Sequence, residues 1–211
     1  MKTNNKTVCG IGINDADYAV NPRINGKQAM CPFFQKWMSM LKRCYSEPSL
    51  RRQPTYNGCT VSAEWHSFMN FKRWMAKQNW RGRHLDKDII QADNKVYKPS
   101  ACMFVSPHIN LLLNDNKANR GPYPRGVDFI KANKNYRAKL TMHGITQHVG
   151  VYETPEEAHA AYCLAKADYI ESLFPELTDE DPRLLPALQR HADNFRKKSR
   201  EQAAHSNQNQ N

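Results

Sequence analysis

The stretch from Arg125 to Phe174 constrains this chain more than any other, because it reads as three short strands followed by one firmly capped helix. Its anchor is Thr154-Pro155-Glu156-Glu157. A threonine N-cap, a proline at the first helical position and a glutamate three residues after the cap form a reciprocal capping box, which marks a helix start. Upstream, Tyr136, Ala138, Leu140 and Met142 alternate with Arg137, Lys139 and Thr141. Strand geometry sends successive side chains to opposite faces, so the two sets point opposite ways. His143-Gly144 marks a turn, and Thr146 and His148 fall on one face of the strand after it. In the helix, Ala158, Ala161, Tyr162, Ala165 and Tyr169 share a face: the alanines allow close approach to the sheet and the tyrosines supply buried area.

Charge divides the same way. The strand region carries Arg125, Lys131, Lys134, Arg137 and Lys139 against the lone acid Asp128, while the helix region carries Glu153, Glu156, Glu157, Asp168 and Glu171 against the lone base Lys166. A basic sheet backed by an acidic helix meets a polyanion with one side only, which makes the sheet the expected nucleic-acid reader. The whole chain, 211 residues with a formal net charge of +11, favours a phosphate-bearing partner over an acidic protein. An RNA reader fits less well, because the sheet lacks regularly placed exposed aromatics for stacking unpaired bases.

The first 30 residues read as irregular, punctuated by Gly10, Gly12, Pro22, Asn25 and Gly26. Phe34, Trp37, Met38, Leu41 and Tyr45 then follow helical spacing, with Pro32 near the start. A second helix is expected over Ala63–Lys77, burying Trp65, Phe68, Met69 and Met75, with Glu47–Thr60 as a loop between the two. Residues 84–114 read as strand (His84–Ile90), polar turn (Gln91–Asn94), strand (within Tyr97–Val105) and helix, the last capped by Ser106 and opened by Pro107. Asn114–Pro124 is rich in Asn, Gly and Pro and suits a linker. Near the end, Asp181–Ala204 fits one more amphipathic helix and Ser206–Asn211 a disordered tail.

The six cysteines, Cys9, Cys31, Cys44, Cys59, Cys102 and Cys163, contain no CxxC pair. They are read as reduced, buried thiols, with no structural zinc expected. No apolar run has spanning length and Met1–Val8 is polar, so neither a membrane anchor nor a signal peptide is expected.

His84-Leu85-Asp86-Lys87-Asp88 carries the chemistry. On a continuous strand His84, Asp86 and Asp88 share one face, where two carboxylates and an imidazole could hold a hard divalent cation and activate water. Asn110, in the first turn of the following helix, adds an oxygen ligand. A solvent-facing polar strand side explains the same residues, and the pattern alone does not separate the two.

Residues 84–114 resemble the HNH homing-endonuclease module, in its bacteriophage branch. The carriers are Leu85-Asp86-Lys87-Asp88-Ile89-Ile90, Asn94-Lys95-Val96-Tyr97-Lys98-Pro99, Cys102-Met103-Phe104-Val105 and Ile109-Asn110, with Gly12-Ile13-Asn14-Asp15-Ala16-Asp17-Tyr18, Cys31-Pro32-Phe33, Arg43-Cys44-Tyr45-Ser46 and Pro54-Thr55-Tyr56-Asn57-Gly58-Cys59 fitting the same branch. The resemblance implies two strands and a helix around one metal ion. Asp86 and Asn110 match the family's metal ligands. Its general-base histidine falls where Lys87 stands, and the asparagine that orients that base falls near Ala101. The base role then passes to His84, to Asp88 or to a metal hydroxide, or else the site is inactive.

Residues 125–174 resemble the APETALA-type domain of plant ethylene-response factors, which also occurs fused to HNH nucleases of phages and mobile elements. Here the carriers are Gly126-Val127, Tyr136-Arg137-Ala138-Lys139-Leu140, Val149-Gly150-Val151-Tyr152 and Thr154-Pro155-Glu156-Glu157-Ala158-His159-Ala160-Ala161-Tyr162. That resemblance implies a sheet lying in the major groove of duplex DNA. Arg125, Lys131, Arg137, Lys139, Thr141, Thr146 and His148 are the corresponding contact candidates. Asp128 stands near a usual arginine and His148 at a usual tryptophan, which implies a different sequence preference.

Together these readings predict an α+β chain: an HNH-type ββα-metal nuclease domain with flanking helices over 1–118, a linker over 119–124, a three-stranded antiparallel sheet packed on one helix over 125–176, and a helix with a disordered tail over 177–211. The expected catalytic set is His84, Asp86, Lys87, Asp88 and Asn110, with one Mg2+ or Mn2+ held by Asp86 and Asn110. The expected partner is double-stranded DNA, bound by a monomer in the cytoplasm of a phage's bacterial host. A catalytically inactive, sequence-specific DNA-binding protein derived from such a nuclease is the alternative.

Overall fold

The computed structural model describes residues 7–113 and 121–208, with side chains as far as Ala204 at the C-terminal end. Its contacts separate into two units, 1–110 and 111–211, each described by itself.

In the first unit, Asn25 (φ 49°) and Gly26 (φ 77°) turn a small hairpin between β1 (Arg23–Ile24) and β2 (Lys27–Gln28). The Asn-Gly pair supplies the two positive φ angles such a two-residue turn requires, in a stretch whose sequence reads as irregular. Helix α1 (Pro32–Tyr45) then buries Phe34, Trp37, Met40, Leu41 and Cys44. Gly12 lies directly on this helix: a Cβ there would sit 2.3 Å from Leu41 and 2.8 Å from Trp37, so only glycine lets the chain approach.

The expected loop after α1 instead contains α2 (Glu47–Arg52), with Pro48 in its first turn and an i,i+4 ion pair between Glu47 and Arg51, followed by a short 3-10 turn at Pro54–Tyr56. The helix expected from Ala63 is broken by Ser67. A 3-10 turn spans Ala63–His66, and α3 (Phe68–Ala76) starts afresh from Ser67, whose hydroxyl accepts from the Asn70 N–H at 3.1 Å. The same hydroxyl donates to Asp15 at 2.6 Å, so the restart is also tied to the N-terminal segment. Trp37, Trp65, Phe68, Phe71 and Met75 form the buried centre between α1 and α3.

Strand β3 (Thr60–Val61) pairs in parallel with β5 (Val96–Tyr97), while β4 (His84–Asp86) pairs antiparallel with β6 (Met103–Val105). Helix α4 (Pro107–Leu113) follows, and the Ser106 hydroxyl accepts from the Ile109 N–H at 3.2 Å, the cap read from the sequence. Most of the expected linker, residues 114–120, lies outside the described residues.

The second unit is built on an antiparallel sheet in the order β7 (Val127–Ile130), β8 (Asn135–Met142), β9 (Ile145–Tyr152). Helix α5 (Pro155–Ser172) lies against it, and its capping box is complete: the Thr154 hydroxyl accepts from the Glu157 N–H, and the Glu157 carboxylate accepts from the Thr154 N–H. Two tyrosines tie helix to sheet. The Tyr169 hydroxyl accepts from the His143 N–H at 2.9 Å, and Tyr162 packs on Gly126 so closely that a Cβ there would lie 2.1 Å from its ring.

Helix α6 (Leu184–Gln208) covers the other side of α5, so the sheet's helix is itself buried nearly all round. Arg196 pairs with Asp168 (2.9 Å) and Glu171, and Ser199 donates to the Ala160 carbonyl at 2.8 Å. Two of the acids that make α5 negative are therefore docking points for α6. The helix continues to Gln208, into the segment expected to be a disordered tail; residues 209–211 lie outside the described residues. The observed class is mixed α+β with a small three-stranded antiparallel sheet.

Candidate metal centre and nucleic-acid interface

In the first unit the β4–β6 pair and α4 bring residues 26 apart into contact. His84, at the start of β4, has Nδ1 3.3 Å from the Asn110 amide nitrogen on α4. Asp86 follows on the same face of β4, by strand period. The pairing that sets this geometry is His84 with Val105, Leu85 with Phe104 and Asp86 with Met103, and it is fixed by burial of Leu85, Met103, Phe104 and Val105.

The strand ends at Asp86, so the expectation that Asp88 shares its face is overturned. Oδ1 of Asp86 accepts from the backbone N–H groups of Asp88 (2.7 Å) and Ile89 (2.8 Å), an Asx turn that stops the period-two alternation. Asp88 then faces Lys87. Burial pushes the Asp86 carboxyl above its ordinary range, and the two backbone bonds offset only part of that. Its second oxygen, Oδ2, takes no part in that turn, and a cation placed there would relieve the cost of burial.

Lys87 stands where the HNH resemblance puts the base, and the structure gives it a different role. Its side chain is buried, and Nζ donates to Asp88 Oδ1 (2.6 Å) and to the Asn94 carbonyl (2.7 Å). Burial works against the charge, but the bond to Asp88 and that carboxylate's charge outweigh it, so the pKa is raised. With Nζ donating to both partners, Lys87 is a strut across the 87–94 loop.

Asn94 completes that strut, and the sequence reading missed it by treating Gln91–Asn94 as a plain polar turn. Its amide donates to the carbonyls of Lys87 and Val96, both at 2.8 Å, and its oxygen accepts from the Val96 N–H at 3.1 Å. Ala101, near which the HNH resemblance would put an orienting asparagine, is buried and has no polar side chain. All six cysteines are free thiols. Among the described residues no group of three or more His, Cys, Asp or Glu side chains is placed to hold a metal, and no helix is long and apolar enough to cross a membrane.

In the second unit the alternation holds through β8: Arg137 and Thr141 are exposed, Lys139 is half-exposed, and Ala138 and Leu140 are buried. Opposite them on β9, Thr146 and His148 are exposed, with Thr141 registered on Thr146 and Lys139 on His148. The two threonine hydroxyls bond each other at 2.9 Å. A bulge then changes phase: Ala138 pairs with Gly150 and Lys139 with His148, leaving Val149 as the extra residue. Because of it, Val151 (43% exposed) joins Arg137 on the outer face, a position simple alternation does not give.

The remaining candidates separate from this face. Lys131 is exposed in the β7–β8 turn. Arg125 lies toward the helix: its carbonyl bonds His159 at 3.1 Å, its charge adds to the burial that lowers the Lys166 pKa, and it offsets part of the burial that pushes the Cys163 thiol up; both residues are buried in α5. Asp128, the lone acid of the strand region, lies between two of the outer-face cations. Its Oδ2 meets Arg137 at 3.1 Å and Lys139 at 2.5 Å, and those bonds, Lys139's first, hold its pKa below the usual range.

Comparison with protein-family models, with curated proteins and with solved structures finds no match to this chain.

Proposed function

We propose that this chain is a phage-type HNH homing endonuclease: a metal-dependent enzyme whose first unit hydrolyses phosphodiester bonds and whose sheet, of APETALA type, holds duplex DNA. The observation that carries the reading is the convergence of His84 and Asn110 across the β4–β6–α4 arrangement, with Asp86 on the same strand face. The outer face of the sheet, with Arg137, Lys139, Thr141, Thr146 and His148, supplies a surface for a polyanion.

The donor set fits a single hard cation. Asp86 Oδ2 and the Asn110 amide oxygen would hold Mg2+ or Mn2+, which when bound supplies charge stabilisation at the cleaved phosphate. The Asx turn orients the carboxylate by occupying its other oxygen. His84 would act as base with the Asn110 amide turned from the orientation that puts its nitrogen on Nδ1, so that one lone pair of its oxygen accepts from Nδ1–H and the other serves the cation, which leaves the Nε2 lone pair for the water proton. Asp88, half-exposed beside Lys87, keeps the loop charge-balanced.

A second reading, a DNA-binding protein without cleavage, is favoured by one observation: the base position holds the pinned ammonium of Lys87. Cleavage of supercoiled plasmid carrying random genomic inserts, with Mg2+ or Mn2+ and an EDTA control, decides between them. Metal-dependent nicking that Asp86→Ala abolishes and Lys87→Met retains supports the nuclease. Tight duplex binding without nicking across the library supports the second reading.

A further inference from the structure

We propose that Asp128 and Arg137 act as one unit that reads a single C·G base pair, which makes Asp128 a specificity-determining residue of the sheet; this deepens the duplex-DNA reading and rests on it.

Asp128 is the only carboxylate in the three strands, and it lies on the outer face opposite Arg137 in the β7–β8 register. Stability does not account for it. The two ion pairs are between side chains 36–45% exposed, and pairs of that kind contribute little. Its cost to phosphate attraction is larger, because it half-neutralises two of the cations on the face. Arg137 and Lys139 both engage Oδ2, so Oδ1 remains turned away from both bonds.

A carboxylate oxygen beside a guanidinium presents an acceptor next to a fork of donors. In the major groove a C·G pair offers the complement: the cytosine N4 amino group donates, and guanine O6 and N7 accept. Adenine also has an amino group, but its N7 acceptor lies beside it and repels a carboxylate. Backbone phosphate, an acceptor only, is repelled by Asp128 as well. The pair therefore lowers affinity for arbitrary duplex while selecting one base pair. Lys139, on the other side of Oδ2, holds the carboxylate in place.

The test is selection of bound duplexes from a randomised pool with the full-length protein, sequenced for wild type, Asp128→Ala and Asp128→Asn, with salt titrations on an unselected duplex. The wild type should enrich one C·G position. Asp128→Ala should lose that preference by about tenfold or more, the scale of a good base contact. It should also bind unselected duplex more tightly, with a log–log salt slope steeper by about one unit as a freed cation reaches phosphate. Asp128→Asn should move the position toward A·T, since an amide pairs with adenine N6 and N7. Unchanged enrichment and slope in both variants would overturn the inference while leaving duplex binding intact. Failure of the wild type to bind any duplex at low salt would overturn the duplex reading itself, and this inference with it.

Discussion

Replacing Lys87 separates a strut from a base. Lys87→Met keeps a flexible apolar stem and removes the ammonium, with its bonds to Asp88 and the Asn94 carbonyl. The Asp88 end is half-exposed and counts for about 1 kcal/mol or less. The Asn94 carbonyl is left buried without that donor, a cost of about 1–3 kcal/mol. Relief of the buried charge offsets part of it, so the net destabilisation is about 1–3 kcal/mol. Lys87→Ala also deletes three buried methylenes, adding about 2.4 kcal/mol at about 0.8 each. All four tryptophans, Trp37, Trp65, Trp74 and Trp80, lie in the first unit, so their fluorescence in urea reports that unit alone. At a urea slope of about 2 kcal/mol per molar, the two variants should melt about 1 M apart, with Met the milder. The strut is refuted if Lys87→Met melts with the wild type yet abolishes metal-dependent cleavage, because the amine would then be acting in the chemistry.

Three further outcomes test other parts of the structure. Gly126→Ala should destabilise the second unit well beyond Gly144→Ala: both sit at positive φ (79° and 80°), costing about 1–2 kcal/mol in the backbone, but only at Gly126 does the new Cβ strike a ring, that of Tyr162. Thermal melts by circular dichroism compare the two, and equal losses would contradict the packing described. Burial, aided by Arg125, brings Lys166 down to about 7 from 10.5. Between those values the unfolded chain holds a proton that the folded one lacks, so stability rises with pH by up to about 1.4 kcal/mol per unit, is complete above 10.5 and is lost as pH falls toward 7. Lys166→Met should flatten that slope in urea melts followed at 222 nm; an unchanged slope places the pH dependence elsewhere. Lys139→Ala should leave the log–log salt slope of duplex binding near that of the wild type, because Asp128 holds this ammonium, and should shallow it by about one unit only in an Asp128→Ala background; a full unit lost in the wild-type background would put Lys139 on phosphate despite its ion pair.

What the sequence made legible was local. Cap, proline and alternation placed α5 and β8 because each signal acts within a few residues. Two of the misses share a cause: a side chain captured the backbone. Ser67 broke a helix that hydrophobic spacing joined, and Asp86 ended a strand that alternation carried to Ile90. Both residue types compete for backbone N–H groups, so the signal was present but outweighed by periodicity. The bulge at Val149 has no marker in the strand pattern. The docking of α6 on α5 depends on contacts such as Arg196 with Asp168 and Glu171, which separation in sequence hides. Of the candidate site, His84 and Asn110 meet across β4 and α4, a contact between residues far apart in sequence. Lys87 and Asp88 were turned into a loop lock, and Asn94 emerged as their partner only in three dimensions.

The most direct test of the central claim is Mn2+ binding to the full-length protein, read as loss of the free-ion signal by electron paramagnetic resonance. The account predicts one ion per chain, lost in Asp86→Ala, weakened in Asn110→Ala and retained in Lys87→Met. Binding that survives Asp86→Ala and Asn110→Ala together, or no binding by the wild type at millimolar Mn2+ with duplex DNA present, would contradict it.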